Sequence, residues 1–219
     1  MKNMKKYSSV VFDLDGTLLN TIDDLRDSVN HMLRLNSFPE RTTQEVLTFV
    51  GNGIAKLVEL SLPDGYDEKE FDRYLTEFRE HYSLNSKNKT CPYDGVNDIL
   101  AYLKGRNIKT AVVSNKVDDQ TKILCKEYFY GNVDFAVGQR QGIEKKPAPD
   151  GVLDAIKNLG CNKDDAVYIG DSEVDFATAK NSGLDFIGVS WGYRGREFLE
   201  NLGAETIVDS PDELKQFFI

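Results

Sequence analysis

Six short runs of apolar, β-branched and aromatic residues are spaced along the chain, each stopped by a polar or glycine-bearing cluster: 9–12, 110–113, 134–137, 166–169, 186–189 and, weaker, 206–208. Their length and composition predict buried strands. Helical patterns fall between them at 96–104, 118–128, 149–159 and 173–181, the last followed by Gly183, a helix-terminating residue. Strands alternating with helices imply parallel strands joined by right-handed crossovers, hence an α/β fold. The interval 20–89 breaks the alternation. Apolar residues at Ile22, Leu25, Val29, Met32 and Leu33 recur at helical spacing, and 54–60 and 71–82 repeat the pattern. This predicts an all-helical insertion at 20–89 between the first strand and the rest of the sheet, with 1–19 and 90–219 forming the α/β part and the polar stretch 85–90 as the return linker.

Composition narrows the partners. The 219 residues suit one large domain with a smaller insertion, and 40% apolar with 29% charged residues allows a sizeable core. A net charge of −9 argues against nucleic acid and against an anionic membrane surface. An anionic substrate must then be met by local cations or a metal. Cys91, Cys125 and Cys161 form no CxxC pair, so no zinc site or disulfide framework is suggested; reduced thiols in a cytoplasmic protein are expected. Lys2, Lys5 and Lys6 resemble the start of a signal peptide, but the apolar run behind them stops at Asp13, and no segment is long enough to cross a bilayer.

The polar residues at the downstream strand ends carry the chemistry. Asp13-Leu14-Asp15-Gly16-Thr17 follows the first strand, Ser114-Asn115-Lys116 the second, and Gly170-Asp171 with Asp175 the fourth; Lys145-Lys146-Pro147 follows the third. In an open parallel sheet these ends share one edge, where ligands bind. Each group also has a plain reading. Asp-x-Asp-Gly makes turns, Ser114-Asn115 caps a helix, Lys146 is a surface lysine, and Asp171 with Asp175 begins a capped helix. An EF-hand loop fits poorly, because a strand precedes the motif and its twelfth position lacks Glu. Together the groups suit phosphoryl transfer. Clustered carboxylates call for a hard divalent cation such as Mg2+, a carboxylate serves as nucleophile, and a second serves as acid and base.

In that order these residues resemble the haloacid dehalogenase superfamily over nearly the whole chain. Asp13-Leu14-Asp15-Gly16-Thr17-Leu18 is similar to its first motif, Ser114 to its second, Lys146 to its third, and Gly170-Asp171-Ser172-Glu173-Val174-Asp175 to its fourth. The resemblance implies a Rossmann-like core with a mobile helical cap that closes over the substrate. It implies Asp13 as nucleophile and magnesium ligand, and Asp15 as acid/base with its carbonyl on the metal. Asp171 would be a metal ligand, with Asp175 in or beside the metal shell. Ser114, the amides around Asn115 and Lys146 would hold the phosphoryl group.

Within the superfamily the chain is most similar to bacterial phosphoglycolate phosphatases, through Asp23-Asp24-Leu25, Val29-Asn30, Phe49-Val50-Gly51-Asn52-Gly53, Lys146-Pro147-Ala148-Pro149-Asp150, Trp191-Gly192-Tyr193 and Gly203-Ala204. Asn20-Thr21 departs from the Asp-Ser of many relatives and touches no expected catalytic role. The resemblance implies a magnesium-dependent phosphatase forming an aspartyl-phosphate, acting on 2-phosphoglycolate or another small phosphorylated metabolite, as monomer or homodimer. Pyrophosphate, nucleotides and sugar phosphates stay open as substrates. Sugar phosphomutase, dehalogenase and phosphonatase chemistry are the other enzymatic readings, the last needing a cap lysine such as Lys56. A regulatory binding protein keeping the fold is the non-enzymatic one. Gly51, Asn52 and Gly53 present amides ahead of a helix that suit a substrate carboxylate, with Arg26, Arg34, Arg41 and Lys56 as further cap cations. His31 and His81 are expected to be ordinary cap residues.

Overall fold

A computed structural model describes residues 5–218; Lys2 lies outside them. In chain order the elements are β1 (Ser9–Phe12), β2 (Leu19–Asn20), α1 (Ile22–Leu35), α2 (Thr43–Phe49), α3 (Ile54–Ser61), α4 (Phe71–Asn85), β3 (Cys91–Pro92), α5 (Val96–Gly105), β4 (Lys109–Val117) and α6 (Asp118–Tyr128). They continue with β5 (Phe135–Gln139), α7 (Asp150–Leu159), β6 (Ala166–Gly170), α8 (Glu173–Ser182), β7 (Asp185–Val189), α9 (Gly195–Leu202) and β8 (Ile207–Val208). Among the described residues no helix is long and apolar enough to cross a membrane.

The main sheet has six strands in the order β5-β4-β1-β6-β7-β8, all parallel. The chain runs outward from β1 through β4 to β5, then crosses back to the other side of β1 for β6. That reversal leaves β1 flanked by β4 and β6 at the switch point, where an open α/β sheet binds its ligand. Both faces are covered, so the strands read as continuous apolar runs rather than alternating ones. Val10 and Phe12 point to the side packed by Ile99 and Leu103 of α5 and Leu124 of α6. Val11, Ala111 and Tyr168 point to the side packed by Val152 and Ile156 of α7 and Ala179 of α8. The fold is the expected Rossmann-like α/β sheet with helices on both faces.

The chain forms two compact units, Met1–Leu19 with Pro92–Ile219, and Asn20–Cys91. In the second unit, α1 buries the apolar stripe read from the sequence: Ile22, Leu25, Val29, Met32 and Leu33 are all buried. Its α2 begins on a capping box, in which Thr42 Oγ1 accepts from the Glu45 amide and Glu45 accepts from the Thr42 amide. The buried Asp24 near the start of α1 accepts from the amides of Lys89 and Thr90 near the end of the unit, at 2.8–3.0 Å.

Candidate active site

Strand register sets the site. Phe12 of β1 pairs with Val112 of β4 and Ile169 of β6, so the residues that follow on all three strands emerge at one level. Asp13 comes next on β1, its amide still bonded to the Ile169 carbonyl at 2.9 Å. Ser114 comes two residues past Val112, and Asp171 two past Ile169. Asp13, Asp171 and Asp175 are buried and each offers a carboxylate oxygen within 4.8 Å of the others. Lys146, from the loop after β5, reaches this cluster: its Nζ lies 2.5 Å from Asp13 Oδ1, 2.8 Å from Asp175 Oδ1 and 3.1 Å from the Tyr168 hydroxyl.

The turn after β1 is closed by the bond from the Gly16 amide to the Leu19 carbonyl, at 2.9 Å. Gly16 has φ +92°, a left-handed conformation that favours glycine, and an added Cβ would lie 2.6 Å from Asp171 Oδ2. Thr17 donates to Asp171 Oδ1 at 3.2 Å, and the Tyr193 amide donates to Asp171 Oδ2 at 2.7 Å. The segment carrying Tyr193 is held by Trp191 Nε1, which donates to the Thr17 carbonyl at 3.0 Å. A Cβ at Gly192 would sit 2.3 Å from that of Asp171, so only glycine allows this approach. The Trp-Gly-Tyr motif thus buttresses Asp171, a role that the sequence pattern alone did not reveal.

Asp175 carries both of its readings at once. It completes the capping box that starts α8, its Oδ2 accepting from the Asp171 amide, the Ser172 amide and the Ser172 hydroxyl at 3.2, 3.1 and 2.6 Å. Its Oδ1 accepts from Lys146 and from the Tyr168 hydroxyl. Tyr168, hidden in a strand run that reads as core, is a site residue the sequence did not signal. The cap reading of Ser114 and Asn115 fails. β4 continues through them to Val117, α6 starts without a side-chain cap, and Ser114 Oγ accepts from the Lys116 amide at 3.1 Å. The Asn115 side chain clasps the backbone of Lys146, accepting from its amide at 2.7 Å and donating to its carbonyl at 3.1 Å.

Asp15 stands apart from the three-carboxylate cluster. Its Oδ2 lies 3.2 Å from Nζ of Lys116, whose side chain is 3% exposed. Burial first, then the charge of Asp15, pushes the nearby Cys125 thiol up to about 12, so it is inert as a nucleophile.

The protein's own groups leave the cluster electrostatically strained. Burial and the charge of Asp175 raise the Asp13 carboxyl well above the usual carboxylate range, against the opposing pull of Lys146. Burial and Asp175 likewise lift Asp171 to about 7, against the Tyr193 amide and the Thr17 hydroxyl. For Lys146, burial works against the charge, but Asp13 and Asp175 outweigh it and hold the ammonium firmly protonated. Carboxylates crowded this way, with no His or Cys among them, fit a hard divalent cation.

The other expected site residues lie in the second unit. Gly51 and Gly53 have φ +121° and +86°, and Gly53 caps α3. Arg26 is bonded to Asp27 and Thr43, Arg34 to Glu40, Arg41 to the carbonyls of Ser61 and Leu62, and Lys56 to Glu59. Lys56 is only partly buried, its side chain 43% exposed, short of the full burial that activates a Schiff-base lysine. His31 and His81 stack with ring centroids 4.1 Å apart, and His81 Nδ1 lies 3.0 Å from Ser28 Oγ.

Known proteins are similar to this chain over most of its length. Residues 10–189 match the family described as haloacid dehalogenase-like hydrolase. A phosphoglycolate phosphatase of Aquifex aeolicus is 34% identical over 185 residues, covering 84% of this chain and 85% of its own. One from Nitrosococcus oceani is 30% identical, covering 97% and 96%. A crystal structure from Lactobacillus delbrueckii subsp. bulgaricus, provisionally described as a phosphoglycolate phosphatase, is 35% identical and superposes with a TM-score of 0.91, covering 96% of this chain and 98% of that one. The motifs, their meeting at one sheet edge and these likenesses have one meaning: the chain belongs to the haloacid dehalogenase-like hydrolase family.

Proposed function

We propose that this phosphatase hydrolyses small phosphate monoesters through a phosphorylated Asp13, with 2-phosphoglycolate the foremost substrate. The supporting observation is the Asp13 carboxylate, buried at the end of the central strand with Lys146 at 2.5 Å and Asp171 and Asp175 beside it. The names of the relatives support the choice of substrate.

An Asp13 oxygen attacks phosphorus as the bond from phosphorus to the ester oxygen breaks, and Asp15 gives its proton to the departing alcohol. Asp15, now a carboxylate, takes a proton from water. The water oxygen attacks phosphorus, the bond to Asp13 breaks, and inorganic phosphate leaves. Lys146, the Ser114 hydroxyl and the amide of Asn115 hold the phosphoryl oxygens. Asp13, Asp171 and the backbone carbonyl of Asp15, with Asp175 beside them, would hold magnesium, which would supply positive charge against the phosphoryl oxygens and relieve the repulsion among the carboxylates. The Asn20–Cys91 unit serves in this reading as the substrate-selecting cap, with Gly51, Asn52 and Gly53 receiving the substrate carboxylate.

Phosphate release is measured across phosphoglycolate, pyrophosphate, sugar phosphates and nucleotides, with magnesium and with chelator. Turnover is expected with phosphoglycolate among the best substrates. Chelation abolishes it, and Asp13→Asn lowers it by roughly 10⁴-fold or more. Magnesium-loaded protein that hydrolyses no phosphate ester defeats the reading.

A further inference from the structure

Among the described residues two lysines are buried, Lys116 and Lys146. Each meets one aspartate of the Asp13-Leu14-Asp15 turn: Lys146 meets Asp13 at 2.5 Å and Lys116 meets Asp15 at 3.2 Å. A lysine is rarely buried unless paired, because taking its charge out of water is costly and a partner offsets that cost. Lys116 gains its burial from strand geometry. It lies two residues past Ser114 on β4, and its amide is fixed by Ser114 Oγ. The four carboxylates of the site and its two ammonium groups leave two negative charges when ionised, which one divalent cation neutralises. Lys116 therefore completes the charge balance at Asp15, as Lys146 does at Asp13 and Asp175.

We propose that Lys116 is a positioning residue for Asp15: it holds the acid/base carboxyl away from Asp13 and aimed at the leaving oxygen. The inference rests on the phosphatase reading above. Asp13 and Asp15 are only two residues apart on a tight turn, and without a cation of its own the Asp15 side chain is drawn toward the Lys146 and metal side. Positioning matters when the leaving group needs a proton. An alkoxide leaves poorly unless Asp15 protonates it, whereas a dinitrophenolate leaves unaided.

The test compares single-turnover phosphorylation of wild type and Lys116→Met by three esters: 2-phosphoglycolate, ethyl phosphate and dinitrophenyl phosphate. Magnesium binding by calorimetry and thermal unfolding are followed in parallel. The expected result is a loss of roughly 10- to 100-fold on both alkyl esters. Dinitrophenyl phosphate stays within about threefold and magnesium affinity is unchanged. Lys116→Arg, which keeps the charge, recovers a large part of the loss, and in an Asp15→Asn background Lys116→Met costs nothing further. Should Lys116→Met not fold, Lys116→Gln carries the same comparison. An equal loss on all three esters overturns the proposal, as does no loss on any. A KM rise confined to phosphoglycolate also overturns it, since that marks Lys116 as a receptor for the substrate carboxylate. If wild type phosphorylates with none of the esters, it is the phosphatase reading that has failed.

Discussion

The two units each start a helix on a capping box, and the two boxes lead different lives. In α2, Thr42 and Glu45 exchange hydrogen bonds at the surface, and Glu45 does nothing beyond the helix start except meet Arg41 at 3.3 Å. In α8, Ser172 and Asp175 make the same exchange, but Asp175 is fully buried and its second oxygen holds Lys146 and Tyr168. A local folding rule used at the surface stays local. Used at the end of a central strand, it ties helix stability to the buried ammonium of Lys146 beside Asp13. Breaking the first should cost some stability and no chemistry; breaking the second should cost both.

The sharpest break is Asp175→Asn. It removes a charge that accepts five hydrogen bonds and turns an amide group toward donors, so unfolding free energy should fall by about 3–5 kcal/mol in denaturant titrations, with activity falling alongside. Asp171→Asn separates metal from fold: magnesium should raise the melting temperature of the wild type and leave that of the variant almost unmoved. Gly192→Ala should follow, because the new methyl must displace Asp171; weakened magnesium affinity in calorimetry is the expected sign. Thr42→Ala should lower stability by only ~1 kcal/mol with kcat unchanged. Smallest of all is the pH effect at Glu45. The Thr42 amide and hydroxyl hold its carboxyl below the usual range, a depression that stabilises the fold above the ordinary carboxylate pKa and is lost as pH falls through the folded value. Melting curves of wild type and Glu45→Gln should therefore differ at neutral pH and converge below the usual carboxylate range.

Much of this was legible in the chain. β1 and α6 match their predicted limits and α1 buries its predicted stripe, because buried strands and amphipathic helices write their faces directly into sequence. The missed helices, α2 and α9, span only seven and eight residues and each bury a single one, Val46 and Leu199, so their patterns are short; for α2 the Thr-x-x-Glu pattern was the further signal. β4 was cut short at Val113 because Ser114, Asn115 and Lys116 are polar, and polar residues end a strand by pattern even where the strand runs on, here through a register irregularity between Val113 and Val117. At the site, residue types with one obvious chemistry stood out. Tyr168 did not, and Trp191-Gly192 stood out as a likeness without a role, since their part depends on which atoms they face across a fold that brings distant segments together.

The bonds from Lys89 and Thr90 to Asp24 join positions 65 and 66 residues apart. One carboxylate thereby cinches the helical insertion shut with the insertion's own backbone. A segment that closes on itself this way resembles a cassette: its two ends leave already side by side, so it can be excised or exchanged between sheet scaffolds with little cost in loop-closure entropy. Asp24→Ala would loosen that clasp, and helical insertions swapped between sheet scaffolds should keep it if they are to travel intact.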